Sequence, residues 1–516
     1  MKRPLIVLVM VFCARLAGGQ QTPPAAAAAH APPGPPVRKI ATATAVSQAT
    51  FGTINSVLEL RDGRVLVNDG LSRRLVLMDT TLTKVDIVLD SLAEIANTYG
   101  TRPGTLIPYR GDSILFVDPA SFAIVVFDPN ARFVRTRSVW RVQDQYLFTS
   151  GTGTYGWPAA DAKGRIVYRE PAEPAPPKVA PPPGVPWIPQ QPDSAFIVAV
   201  DLGTRKIDTL ASMRIPKQKS EIRMTPEGGF NFYSHINPMP MTDDWAVLAD
   251  GTIALIRGRD YRVEYLHPDG TRTSSQKLPF DWQHYTDEDK QRLVDSVKKM
   301  NERSLAMNYV TSIIRWVNMY NRKYPPNLTV PAGYVPPAGF MKTWKLPPDV
   351  KFPERYIYGC AEGEEPTTAD TPKTAGATGA KPVAPPPLMT FPGAPGALMG
   401  TPSCIPQPVM IPGNVPPMPT MREVYVLPPS ELPDYRPPFA SNSVRSDMDG
   451  NVWVRTIPPK PIPGGNVYDV ISENGELVDR LQIPPGYTIV GFGRERIVYM
   501  SMRDAKGIHL ARVRLK

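Results

Sequence analysis

Three short stretches of this chain combine aromatic rings with charged groups. One is Tyr155-Gly156-Trp157. A second holds Phe230, Phe232, Tyr233 and His235. A third holds Asp434, Tyr435, Arg436 and Phe439, with Arg445 a little further on. Aromatic faces accept sugar rings and cations, and an arginine fork fits a carboxylate. Tyr155, Trp157, Tyr233, His235, Asp434, Tyr435, Arg436, Phe439 and Arg445 are therefore the candidate ligand-binding residues. The competing reading is that the rings fill interior space and Arg436 pairs with Asp434.

Catalytic signatures are missing from the sequence. There is no Gly-x-Ser-x-Gly turn to present a serine nucleophile. The five histidines are His30, His235, His267, His284 and His509, and no two have a metal-ligand spacing. Asp447-Met448-Asp449-Gly450-Asn451 has a passing likeness to a calcium loop, but its glycine comes two residues too early, and the same residues suit a hairpin turn. No catalytic residue, metal ligand or cofactor is assigned. A divalent metal such as calcium is the alternative.

The elements that must carry these residues repeat. A turn with a small or acidic residue is followed by an apolar strand and then a second one. Asp62-Gly63 opens one copy with Val65–Val67 and Leu75–Met78, and Gly111-Asp112 opens the next with Ile114–Val117 and Ile124–Phe127. Further copies start at Lys163-Gly164, Asp250-Gly251, Asp449-Gly450 and Gly493-Arg494. Glycine supplies the positive φ of the turn, and aspartate bonds its own backbone. A second turn signal, as in His267-Pro268-Asp269-Gly270 and Glu473-Asn474-Gly475, implies an outer fourth strand. A period of about 40–50 residues built from short strands indicates propeller blades. The expected fold is all-β, a six-bladed β-propeller. The last copy ends at Lys516 one strand short, so Val37–Val46 is expected to complete the sixth blade.

These phrases resemble the six-bladed propellers grouped as TolB-like or NHL-like in bacterial secreted proteins. The likeness is plainest at Leu432–Phe439 followed by Val444–Arg455, and at Phe51–Asp79, and it extends over Val37–Asp281 and Met421–Lys516. It implies a fold and hardly an activity, since one fold hosts many functions. Some similar propellers are lactonases or lyases with a metal on the channel axis, which implies converging Glu, Asn and Asp at blade starts. Asn55 and Asp161 would contribute to such a set here, but this chain offers no full one.

Residues 1–19 read as a signal peptide. Lys2 and Arg3 precede the apolar Leu5–Ala14, and Ala17-Gly18-Gly19 offers a cleavage site. The apolar run is shorter than the roughly 20 residues a membrane span needs. A Pro/Ala-rich linker follows over 20–36. After cleavage, Cys360 and Cys404 are the expected pair of a disulfide in an oxidising compartment. The 58 basic and 48 acidic residues give a net charge of +10. That excess suits an anionic partner, but no block of like charges or nucleic-acid motif accompanies it.

The 62 prolines concentrate in two insertions, a loop over 171–192 and a largely disordered arm over 325–420. Blades 1–4 are expected over 37–281 and blades 5–6 over 421–516. Between them, 282–324 reads as a helical hairpin. Thr286-Asp287-Glu288-Asp289 forms a capping box, Leu293, Val297 and Met300 make one stripe, and a second helix carries Val310, Ile313, Ile314 and Val317. The expected function is an exported, non-enzymatic, monomeric binding module for a protein or an anionic or sugar ligand, in the periplasm or outside the cell. A metal-dependent lactonase-like enzyme and a subunit of an envelope complex are the alternatives.

Overall fold

The computed structural model of the chain describes residues 34–91, 98–141, 144, 155–174, 177, 191–216, 219–224, 229–304, 425–458 and 462–515. The expected signal peptide, the Cys360–Cys404 pair, the proline-rich arm and the second helix lie outside these residues. So does most of the 171–192 loop.

The described residues are mostly strand. β1 (Val37–Lys39) and β2 (Ala45–Val46) come first. β3 to β6 (Ile54–Glu59, Val65–Asp69, Arg74–Met78, Val85–Leu89) form an antiparallel sheet in sequence order. β7 to β10 (Thr105–Pro108, Ile114–Asp118, Ala123–Phe127, Phe133–Ser138) repeat that order, as do β11 to β14 (Ala159–Ala160, Ile166–Arg169, Ser194–Val200, Ile207–Arg214). β15 (Lys219–Met224) and β16 (Phe230–Ile236) form a separate hairpin. β17 to β20 (Asp244–Val247, Ile253–Arg257, Arg262–Leu266, Arg272–Ser274) make the next sheet. Helix α1 (287–304) follows, and then β21 (Tyr425–Val426), which joins β16 in parallel. β22 to β25 (Phe439–Ser446, Val452–Thr456, Val467–Ile471, Leu477–Gln482) form another sheet, and β26 to β28 (Thr488–Phe492, Ile497–Arg503, Ile508–Arg514) the last.

Local chemistry explains the repetition. β4 and β8 are buried along their whole length, which suits continuous apolar runs covered on both faces. Where the chain reverses before β4 and β18, Gly63 and Gly251 have φ of 80° and 88°, a region costly for any residue with a Cβ. Asp62 and Asp250 set these turns by accepting the N–H of Arg64 and Thr252 at 3.1 and 2.8 Å.

Each major core is shared by two sheets. Leu66 and Leu75 of the β3–β6 sheet pack with Phe116 and Phe127 of the β7–β10 sheet. Leu115 and Val126 meet Tyr168 and Val198. Ile197 and Met213 meet Trp245 and Leu255, Tyr261 and Val263 meet Phe439 and Val454, and Trp453 and Leu481 meet Ile489 and Met500. Val490, Tyr499 and Leu510 of the last sheet then pack on Val65 and Val76 of the first. The first strands are neighbours too: β3 lies against β7 and β26, β7 against β11, and β17 against β22. The result is an all-β, propeller-like arrangement of four-stranded antiparallel sheets.

The expectation for Val37–Val46 resolves into two pairings. β2 alone joins the last sheet, antiparallel to β28, with Ala45 opposite Arg512. β1 instead pairs in parallel with β25, with Val37 opposite Arg480. Ile40 explains the split, because it is buried in the core between the last two sheets and anchors the chain where it passes from one to the other.

The capping box is present. Thr286 Oγ1 accepts the Asp289 N–H at 3.2 Å, and Asp289 Oδ2 accepts the Thr286 N–H at 3.0 Å. The stripe is displaced from its expected position. Val294 is buried against Met239, Leu427 and Leu432, with Leu293 beside it, whereas Met300 is 68% exposed. The α1 face turned to the protein is thus set one residue round from that expected. Lys290 belongs to it, its side chain buried and its Nζ 2.6 Å from Asp434 Oδ1.

Candidate functional site

The residues with unspent binding capacity meet where the segment before β11 touches β22. Tyr155, Gly156 and Trp157 form that segment. Its position is fixed by two hydrogen bonds. The Trp245 indole N–H donates to the Tyr155 carbonyl at 3.1 Å, and the Gly156 N–H donates to Asn442 Oδ1 at 3.2 Å. Gly156 has φ of 88°, and a Cβ there would lie 2.3 Å from Trp245 Nε1, so only glycine fits.

β22 is irregular at this point. Its register with β23 shifts between Phe439 and Val444, and Asn442 sits at φ of 62°, a conformation asparagine tolerates better than most residues. The irregularity is held by Asp244 at the start of β17. Asp244 Oδ2 accepts the N–H groups of Ser443 and Val444 at 2.7 and 3.1 Å, and Oδ1 accepts that of Trp245 at 2.9 Å. Burial nevertheless pushes the Asp244 carboxyl up to about 6.

Two guanidinium groups face the segment. Arg445 lies over Trp157 with its guanidinium carbon 3.8 Å from the ring centre. Arg169, at the end of β12, lies over Tyr155 at 4.5 Å. Both arginines are half-buried. Burial lowers the pKa of Arg169 and brings that of Arg445 down to about 10. Among the described residues neither makes an ion pair. Arg169 Nε and Trp157 Nε1 are buried donors with no acceptor. Stacking on an aromatic face accounts for the position of each cation but leaves its N–H groups unused.

Of the nine sequence candidates, the structure brings Tyr155, Trp157 and Arg445 together. Tyr233 and His235 stand on β16 beside Tyr425, with Tyr233 edge-on to that ring at 4.8 Å and the His235 ring at 5.5 Å. His235 Nε2 is 3.6 Å from Glu221. Asp434, Tyr435 and Arg436 run along the segment before α1. Asp434 binds Lys290, Tyr435 packs edge-on to His284 at 5.2 Å, and the Arg436 N–H donates to the Gln283 carbonyl at 3.0 Å. The competing reading pairs Arg436 with Asp434; the partner of Asp434 is Lys290 instead, because α1 delivers a buried amine to that carboxylate. Phe439 is in the core, 1% exposed beside Tyr261.

Sequence reading missed Arg169, Asp244, Asn442 and Ser443. Arg169 carried a usable signal, a charge closing the apolar run Ile166-Val167-Tyr168. Asn442 carried none, since its backbone conformation comes from the irregular pairing of β22.

Among the described residues, the carboxylates named for the two metal alternatives have other partners. Asp447 Oδ1 accepts the N–H groups of Asp449 and Asn451 at 3.0 and 2.8 Å, and Oδ2 accepts from the Asn451 side chain and the Trp453 indole, both at 2.9 Å. Those lone pairs are occupied by the turn. Asp161 pairs with Arg165 at 2.8 Å. Among the described residues no three His, Cys, Asp or Glu side chains converge on one point.

No family model matches the chain, and no curated protein does. Solved structures with similar arrangements include a gluconolactonase from Xanthomonas campestris, at 9% identity and a TM-score of 0.30 over 93% of this chain and 98% of that one. A luciferin-regenerating enzyme matches at 8% identity and 0.31, over 90% and 92%. A virginiamycin B lyase from Staphylococcus aureus matches at 10% identity and 0.23, over 45% and 74%. At TM-scores this low, these likenesses carry no argument about the chemistry of this chain.

Proposed function

We propose that the protein is an exported, non-enzymatic, six-bladed β-propeller that binds a ligand at one mouth of its central channel. Among the described residues, five four-stranded sheets and the five-stranded sheet of β22–β25 with β1 share cores in succession, and the last shares one with the first. Closure of the ring rests on β2, the outer strand of the sheet that contains β28. This removes most of the exposed strand edge.

The observation that carries the binding reading is the contact of Trp157 with Arg445. The loop before β11 belongs to the third sheet and β22 to the fifth. In a closed ring such a contact crosses the channel and puts an aromatic face and a cation at its mouth. Ligand sites favour such places, where convergent polar groups meet a partly enclosed surface. Export is supported by the apparent leader over 1–19, and no described helix is long and apolar enough to cross a membrane.

The test is binding of the mature chain from Gln20 to panels of oligosaccharides, peptides and organic acids, followed by thermal shift. A ligand whose binding is lost in Trp157→Ala, in a variant that keeps its far-ultraviolet spectrum, supports the site. Ligands that bind equally well to that variant would place the function elsewhere on the molecule.

A further inference from the structure

We infer that the face of the β22–β25 sheet beside Trp157 binds a small oxyanion, its carboxylate or phosphate oxygens held by Arg445, Arg455 and the Tyr468 hydroxyl. This rests on the channel-mouth reading and adds the ligand's charge and the residues that recognise it.

Strand register puts these three side chains on one face. Arg445 of β22 is opposite Trp453 of β23. Arg455 is two residues further along β23, on the same side, and is opposite Tyr468 of β24. Directly opposed residues have Cβ atoms about 4.5–5.5 Å apart, and diagonal neighbours such as Arg445 and Arg455 about 7–8 Å, within reach of long side chains. The rings of Trp453 and Tyr468 share that face, with centres 6.1 Å apart, and Trp157 lies over Arg445 from the third sheet. The charges agree with this placement. Burial lowers the pKa of Arg445, and the groups that act on it besides are Tyr468 and the like-charged Arg455. Burial raises that of Tyr468, and both guanidinium groups oppose the rise. No carboxylate acts on Arg445. Among the described residues neither arginine has a hydrogen bond or an ion pair, whereas Arg257 binds Asp243 and Glu264 at 2.8 and 2.6 Å. The Trp157 indole N–H, at the same contact, is also buried without an acceptor.

Two half-buried cations on one face repel each other, and an anion between them relieves that repulsion. The planar guanidinium fork fits carboxylate and phosphate oxygens in pairs, and the phenol supplies a further O–H donor. A cationic ligand would be repelled, and a neutral sugar would leave the two charges facing each other. No bond is made or broken.

The experiment uses the mature full-length chain and compares citrate, inorganic phosphate and sulfate with chloride at equal ionic strength, with a neutral oligosaccharide alongside. Titration calorimetry is read on wild type, Arg445→Met, Arg455→Met and Tyr468→Phe. The expected result is saturable binding of at least one oxyanion, weakened about tenfold or more in each arginine variant and less in Tyr468→Phe. Binding of citrate alone assigns a carboxylate ligand, and binding of phosphate and sulfate alone a phosphoryl one. Absence of saturable binding to wild type, or equal binding to wild type and Arg455→Met, would overturn the inference. Binding of the neutral oligosaccharide alone, lost in Trp157→Ala but indifferent to Arg455, would overturn the anion assignment while leaving the channel-mouth reading in place. If the arginine variants fail to fold, wild type still decides: the bound oxyanion should slow phenylglyoxal modification of Arg445 and Arg455 in mapped peptides, and unchanged rates at both would overturn the inference.

Discussion

Arg445 holds its guanidinium carbon 3.8 Å from the centre of the Trp157 ring, and the two residues belong to sheets separated in sequence by β17–β20. A second bond runs alongside, from the Gly156 N–H to Asn442. The segment before β11 is thus tied to β22 twice, once through a ring and once through its backbone.

A double-mutant cycle on Trp157→Ala and Arg445→Met measures the first tie. A cation over an indole contributes about 0.5–1 kcal/mol when exposed and about 2 when desolvated. The expected coupling is between those limits, since Arg445 is half-buried. Additive losses in denaturant titrations would show that the stacking carries no net stability.

Asp244 makes stability depend on pH in a defined direction. Its carboxyl titrates at about 6 in the folded protein and near the ordinary carboxylate value of about 3.9 when unfolded. Between these values the folded state binds the proton more tightly. This group therefore stabilises below about pH 4, and its contribution is lost as pH rises through about 6. The span corresponds to roughly 3 kcal/mol. Asp244→Asn should flatten that part of the profile while lowering stability by about 1–3 kcal/mol, because an amide cannot accept at both ends. Urea midpoints of both proteins from pH 4 to 7 provide the check. Parallel profiles would refute it.

Tyr499 joins the last sheet to the first. Its hydroxyl donates to Glu59 Oε2 at 2.6 Å, and Glu59 Oε1 accepts the Arg494 N–H at 3.1 Å. Tyr499→Phe leaves the buried carboxylate one donor short, at a cost of about 1–3 kcal/mol. Equilibrium unfolding should show this as a lower midpoint with an unchanged slope.

Removing residues 1–46 deletes β1, β2 and the buried Ile40. Ile40 alone accounts for about 1.5–3 kcal/mol of burial, and the Arg512 carbonyl loses the 2.7 Å bond it accepts from the Thr44 N–H. The truncated chain should melt lower and self-associate through the bared edge of β28. Light scattering and melting curves read both effects. A monomer with the full-length melting temperature would mean that the ends do not fasten the structure.

Much of the architecture was readable from the sequence because its determinants are local. The Asp-Gly turns require positive φ whatever surrounds them, and Val65–Val67 or Ile114–Val117 read as buried strands from composition alone. The α1 cap was legible for the same reason, since Thr286 and Asp289 satisfy each other within one turn. Site membership was not local. Tyr155, Trp157 and Arg445 were singled out beside six residues that settled elsewhere, because an aromatic ring looks the same whether it faces a channel or a core. Phe439 went to the core and Asp434 to Lys290. Arg169, Asp244 and Asn442 joined the site through the meeting of three different sheets. The sequence by itself determined the strands, their turns and the sign of the charge available. Only the tertiary structure decided which of those charges would lack a partner, because that depends on which segments are brought face to face after every sheet has buried its apolar surface.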